Sequence, residues 1–169
     1  DVWTRDYAPL FLVNSQNKKQ AYVKWQYNAY GKYHDPYFSP ILADNDVFNH
    51  LKLPYKKFEA NIVLEGGAID VNGNGVCLTT EQCLLNPNRN PSVDKENYEK
   101  YLADYLNITK TIWLKEGLVN DHTDGHIDEI ARFVNTNKIL CAYEENKTDE
   151  NFKILNDINR KLRLEKNYK

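Results

Sequence analysis

The eight residues from Asp121 to Asp128 carry five ionisable side chains, Asp121, His122, Asp124, His126 and Asp128, just before the apolar run that follows them. Charge is seldom collected where a strand enters a core unless something binds there. His126 and Asp128 stand two residues apart, and two further acids, Asp6 and Glu65, precede His126 at intervals of about sixty residues. Trp3 lies next to the first acid, and Glu65 ends the apolar stretch Ile62-Val63-Leu64, ahead of Gly66-Gly67. Three acids, a histidine and a tryptophan at one focus suit a planar, hydrogen-bonding cation. Guanidinium fits best, because its fork of N–H donors pairs with carboxylates and its face stacks on an aromatic ring. In that arrangement Asp6 and Asp128 grip the guanidinium while Trp3 borders the pocket. The glycines after Glu65 let backbone and ligand approach closely. Binding alone leaves His126 unused, whereas an imidazole can protonate a departing ammonia and then activate water.

The elements that must position these groups recur in order. Pro9 to Val13 and Ala21 to Tyr27 read as strands, Ile41 to Leu51 as a short helix, and Phe58 to Leu64 as a strand. The order restarts with strands at Ala68 to Val71 and Val76 to Thr80, a helix from Asp94, and a strand from Lys110 to Leu114. A third round opens with strands at Ile127 to Val134 and Ile139 to Tyr143 and enters a long helix from about Asp149. Strand, strand, helix, strand thus appears nearly three times, in units of approximately 6–65, 66–125 and 126–169, the last incomplete. Equivalent corners of such units face a common axis, as propeller blades do. The charges are expected to meet there.

Bulk properties exclude several classes. A net charge of −2 without a basic block gives no case for nucleic acid, and no apolar run is long enough to span a bilayer. Three cysteines, odd in number and without metal-ligand spacing, suit reduced thiols in a cytoplasm. The chain has no methionine and opens on Asp1, so we expect N- and C-terminal parts of the protein to lie beyond it.

Four segments carry a family resemblance: Trp3-Thr4-Arg5-Asp6, Leu64-Glu65-Gly66-Gly67, the run CLLNPNRNP from Cys83 to Pro91, and Thr123-Asp124-Gly125-His126-Ile127-Asp128. Together they resemble the agmatine deiminase and bacterial-type peptidylarginine deiminase family, in its order and across nearly the whole chain. The resemblance implies a pseudo-five-fold α/β propeller of strand–strand–helix–strand units, of which about two and a half to three are present. It implies hydrolysis of a guanidino group to a ureido group through a covalent cysteine adduct, with no metal or other cofactor. In that family pattern His126 and Asp128 are catalytic, with His126 the general acid and base and Asp128 also holding the guanidinium. Trp3, Asp6 and Glu65 bind substrate. The family's nucleophile lies in a glycine-rich segment, with His before Cys, that this chain lacks. The expected substrate is agmatine, giving N-carbamoylputrescine on a route to putrescine, with peptidylarginine and free arginine as alternatives. A cytoplasmic location and a homo-oligomer are compatible with the resemblance.

Plainer readings stand beside these. Cys77 and Cys141 alternate as core thiols do, and Cys83 sits in a motif that reads as structural. Asp70-Val71-Asn72-Gly73-Asn74-Gly75 matches a calcium-loop pattern, but its strand-like flanks make it a hairpin turn. His122, His126 and Asp128 could instead ligate a metal in a metal-dependent hydrolase or a metal-binding module. Asp128 could form an ordinary ion pair with Arg132. A protein that binds guanidino compounds without turning them over is a third reading.

Overall fold

The computed structural model describes residues 2–165. A short helix α1 (Thr4–Tyr7) leads into β1 (Leu10–Val13) and β2 (Gln20–Gln26), and a 3-10 helix over Ser39–Asn49 precedes β3 (Lys56–Val63). A 3-10 turn at Gly66–Ala68 opens the second round of β4 (Ile69–Val71), β5 (Val76–Thr80), α2 (Glu81–Leu84), α3 (Lys95–Leu106) and β6 (Lys110–Leu114). The third round holds a 3-10 turn at Ile127–Glu129, then β7 (Ala131–Asn135), β8 (Lys138–Cys141) and α4 (Phe152–Leu164). Asp1 and residues 166–169, the latter within the third expected unit, lie outside the described residues.

Each round makes its own sheet by the same rule. β1 pairs antiparallel with β2 and β2 parallel with β3; β4, β5 and β6 repeat that order, and β7 pairs antiparallel with β8. An antiparallel pair needs only a tight turn, whereas a parallel partner needs a crossover, which is why a long connection always separates the second and third strands. The Asn72–Gly75 segment is the hairpin turn between β4 and β5, with Asn72 Oδ1 accepting from the backbone N–H groups of Asn74 and Val76 at 2.8 and 3.0 Å.

The middle sheet is buried on both faces, so its strands read as near-continuous apolar runs. Cys77 and Trp113 face a core shared with Val23, Trp25, Ile62, Leu64, Tyr98 and Leu102. Leu78, Ile112 and Leu114 face a second core with Ile127, Ile130, Leu155, Ile158 and Leu162. Helix α3 therefore seals the first sheet against the second, and α4 seals the second against the third. Asp94 caps α3 by accepting from Asn97 N–H at 2.9 Å, and Asn107 ends it in a left-handed conformation.

Two expectations need correction. Ile127–Glu129 is a 3-10 turn rather than strand, because Ile127 drops into the core while Asp128 and Glu129 turn toward the cleft described below. The short helix expected from Ile41 is 3-10, with Asp44 its one buried residue and only Ile41 and Phe48 partly buried against Tyr7, Tyr27 and Tyr30, a contact too thin to hold an α-helix.

Leu102→Ala, in the fully buried face of α3, is expected to cost about 2–5 kcal/mol in a urea titration. Leu164→Ala, at the exposed end of α4, is expected to change stability by less than about 0.5 kcal/mol.

Candidate active site

Residues from three rounds meet at Gly67. A side chain begun there would meet Asp6 Oδ1 and His126 Nδ1 at 2.6 Å each and Asp128 Oδ2 at 3.0 Å. Only a missing side chain lets these three groups come together. Asp6 comes from α1, Gly67 from the turn after β3, and His126 and Asp128 from the turn before β7. Gly66 is required as well, because a side chain there would run into the carbonyl of Arg5 and separate α1 from the turn.

Around this point lies a cleft of about 280 Å³ lined by Trp3, Arg5, Asp6, Tyr30, His122, Thr123, His126, Asp128 and Glu129. Asp6 is buried, accepting from Gly67 N–H at 3.1 Å and from the Tyr30 hydroxyl at 2.8 Å, with His126 Nδ1 3.6 Å away. Burial pushes its carboxyl above the ordinary range, against the pull of His126 and Tyr30. Glu129 is driven further, to about 7, by partial burial and then by the like charges of Asp121, Asp128 and Asp6. His126 is itself buried, and its Nε2 has no hydrogen-bond partner.

The loop carrying His126 is built by short-range hydrogen bonds. Asp121 accepts from the N–H groups of Thr123 at 2.8 Å and Gly125 at 2.7 Å. Burial acts to raise its carboxyl, but a bond from the Thr123 hydroxyl together with these two outweighs it and holds the group below the ordinary range. Gly125 adopts φ +90°, a conformation costly for other residues, and packs against Gly117. From the second round, the Thr80 hydroxyl donates to Gly125 O at 2.7 Å, tying the loop to the end of β5.

Glu65 departs from its expected place. It is fully buried and does not line the cleft; its carboxylate accepts from Arg89 Nε at 3.1 Å. Arg89 Nη1 also pairs with Asp124, and Nη2 donates to Thr123 O at 2.7 Å. Glu65 thus stands behind the cleft, in a brace that fixes the His126 loop. Arg132 pairs with Asp70 at 3.0 Å rather than with Asp128, which leaves Asp128 facing the cleft. His122, His126 and Asp128 are not gathered as metal ligands. Among the described residues the group close enough is Glu65, Cys83 and His126, with ligand atoms within 4.8 Å of one another, and Arg89 already occupies the Glu65 carboxylate. Cys77, Cys83 and Cys141 are free thiols outside the cleft, and burial raises all three.

Residue reasoning alone missed Tyr30, Glu129, Asn88 and Arg89. The Asn- and Pro-rich Asn86–Pro91 stretch holds the available signal for the last two, since an arginine among turn-forming residues is well placed to bind carboxylates of other segments.

A family model described as Porphyromonas-type peptidyl-arginine deiminase matches residues 1–169. The chain belongs to that family. It is 38% identical over 156 residues to the agmatine deiminase of Pseudomonas syringae pv. syringae, covering 90% of this chain and 42% of that protein. A cysteine-to-serine variant of C. jejuni agmatine deiminase with substrate bound superposes with a TM-score of 0.84 at 31% identity, covering 99% of this chain and 49% of that one. The agmatine deiminase of Enterococcus faecalis superposes at 0.80 with 33% identity, covering 95% of this chain and 44% of that one. The chain therefore spans about half the length of these deiminases. The α/β fold is the family's, and the described residues form three partial sheets of the propeller rather than a closed ring. Among the described residues no helix is long and apolar enough to cross a membrane.

Gly67→Ala is expected to force Asp6 and His126 apart and to cost about 1–3 kcal/mol in a urea titration. Glu129 gives a pH signature. Its carboxyl titrates near 7 in the folded chain against 4.5 unperturbed, so the folded chain holds that proton more tightly. Stability is expected to fall as pH rises between those values and to level off above them. Melts of Glu129→Gln across that range should lack this component.

Proposed function

We propose that this chain carries the guanidinium-holding and proton-transferring part of an agmatine deiminase. The observation that supports it is the convergence on Gly67 of two carboxylates from different rounds and one histidine. Carboxylates partly withdrawn from water favour a cation, and guanidinium offers paired donors to both. Asp6 and Asp128 grip it, Trp3 and Tyr30 wall the cleft, and His126 lies beside its carbon.

The chemistry follows from the charges. A thiolate adds to the guanidinium carbon and makes a tetrahedral adduct. His126 protonates one nitrogen, the C–N bond breaks and ammonia leaves, giving a thiouronium. His126, now neutral, takes a proton from water; the resulting hydroxide adds to the same carbon, the thiolate is expelled, and the hydroxyl proton of the adduct passes to solvent, which leaves the neutral ureido product. The three thiols of this chain are buried or turned from the cleft, so the nucleophile in this reading is a cysteine beyond residues 1–169. The name of the C. jejuni variant, a cysteine replaced by serine with substrate bound, accords with that. Peptidylarginine and free arginine are the competing substrates. Free thiols suit a reducing compartment, which favours the cytoplasm.

An assay of ammonia and ureido product, with agmatine, arginine and a peptide ending in arginine compared on the full-length protein, tests this reading. Agmatine is expected to be turned over best, and residues 1–169 alone are expected to release no ammonia. Asp128→Asn is expected to lower kcat/KM for agmatine by about a hundredfold or more, since an amide cannot match the paired charge. Equal turnover by that variant would refute the assignment.

A further inference from the structure

Asp6 is fixed by a residue that no sequence motif pointed to. Ala29, Tyr30 and Gly31 run through three successive left-handed conformations, with φ of 55°, 59° and 72°. Such a conformation is costly for a bulky side chain and persists only where its surroundings enforce it. Here Gly31 N–H donates to Asn28 Oδ1 at 2.8 Å, Asn28 Nδ2 to Asn88 O at 3.0 Å, and Asn88 Nδ2 to Tyr30 O at 3.5 Å. The same Asn88 Nδ2 donates to Asp124 at 2.9 Å, so one side chain joins the Tyr30 loop to the His126 loop.

The product of that strain is a buried phenol aimed at a buried carboxylate. Tyr30 is 2% exposed, and its ring is held edge-on by Tyr27 at 5.5 Å and Phe38 at 6.2 Å. The same ring lies 5.8 Å from those of both His126 and His122. Its hydroxyl donates to Asp6 Oδ2, while Gly67 N–H donates to Oδ1. Each carboxylate oxygen therefore has one fixed donor and keeps a lone pair for another. Burial, and then the Asp6 charge, push the phenol's ionisation out of the accessible range, so it remains a donor throughout.

We propose that Tyr30 is a positioning residue whose hydroxyl orients Asp6 and favours its ionised form, presenting it to the cation in the cleft. This rests on the guanidino reading for the identity of the cation, not for the Tyr30–Asp6 pair. The groups that bear on Asp6 from neighbouring elements are His126, Asp128 and Glu129 on the loop before β7, Glu65 at the end of the first round, Gly67 N–H at the start of the second, and Tyr30. Arg5 adjoins Asp6 on its own helix.

The test combines two replacements at Tyr30 in the full-length protein with two readouts, the Asp6 carboxyl followed by carbon NMR against pH and agmatine kinetics against pH. Tyr30→Phe keeps the ring and removes the donor. The Asp6 midpoint is expected to rise by about half a unit to one unit. The acid limb of kcat/KM should move with it, and KM for agmatine should rise several-fold more than kcat falls. Replacing Tyr30 with 3-fluorotyrosine keeps the hydroxyl and makes it a stronger donor, so the midpoint should move the opposite way in a chain that folds as before. An Asp6 midpoint unmoved by both changes would overturn the proposal. So would weaker agmatine affinity with an unmoved acid limb, which would make Tyr30 merely structural. Opposite midpoint shifts without agmatine binding by any of the proteins would uphold the pairing and refute the guanidino reading instead.

Discussion

The side chain of Arg89 is fully buried, and its guanidinium ties together two separate stretches of chain. Its Nε bonds Glu65 at the end of the first round, and its Nη atoms bond Asp124 and the carbonyl of Thr123 beside His126. Glu65, Asp124 and Arg89 all lie close to the histidine, and none could stay buried alone. Stranding one charge of such a group costs about 3–5 kcal/mol. The same exchange of donors and acceptors gives the His126 loop a defined position although it contains little regular structure. Asn90 extends the tie by pairing with both the N–H and the carbonyl of Val63 at 2.9 and 2.8 Å. The segment from Asn88 to Asn90 thus connects β3, the Tyr30 loop and the loop before β7.

In front of this neutralised layer the balance of charge reverses. Asp6, Asp128 and Glu129 line the cleft, with Asp121 just beneath, and Arg5 and the histidines are the basic groups that share it. Burial, and then that excess of negative charge, raises the Glu129 carboxyl. The protein's own guanidinium meets carboxylates behind His126, and in the proposed function the carboxylates of the cleft meet a guanidinium from outside.

The sequence made the architecture legible where hydrophobic periodicity was strong. The repeated strand–strand–helix–strand order follows from that periodicity, and the acids recurring at equivalent corners point to a meeting that the structure shows for Asp6, His126 and Asp128. An ordinary ion pair between Asp128 and Arg132 is open in the sequence, whereas in the structure Arg132 pairs with Asp70 across the sheets. Glu65 shared the recurring spacing and so seemed to face the cleft; the arginine that claims it is 24 residues further along and shares no periodicity with it. Tyr30 was hidden for a related reason. Its role depends on a left-handed backbone at a non-glycine residue, enforced by an asparagine 58 residues away, and no local propensity encodes that.

The central claim is that carboxylates from distant rounds close on one guanidinium beside His126. A crystal structure of the full-length protein with agmatine tests it most directly. The account predicts guanidinium nitrogens about 3 Å from the carboxylates of both Asp6 and Asp128, with the alkyl chain passing Trp3. Agmatine bound away from Gly67, or Asp6 and Asp128 turned into separate regions of solvent, would contradict it.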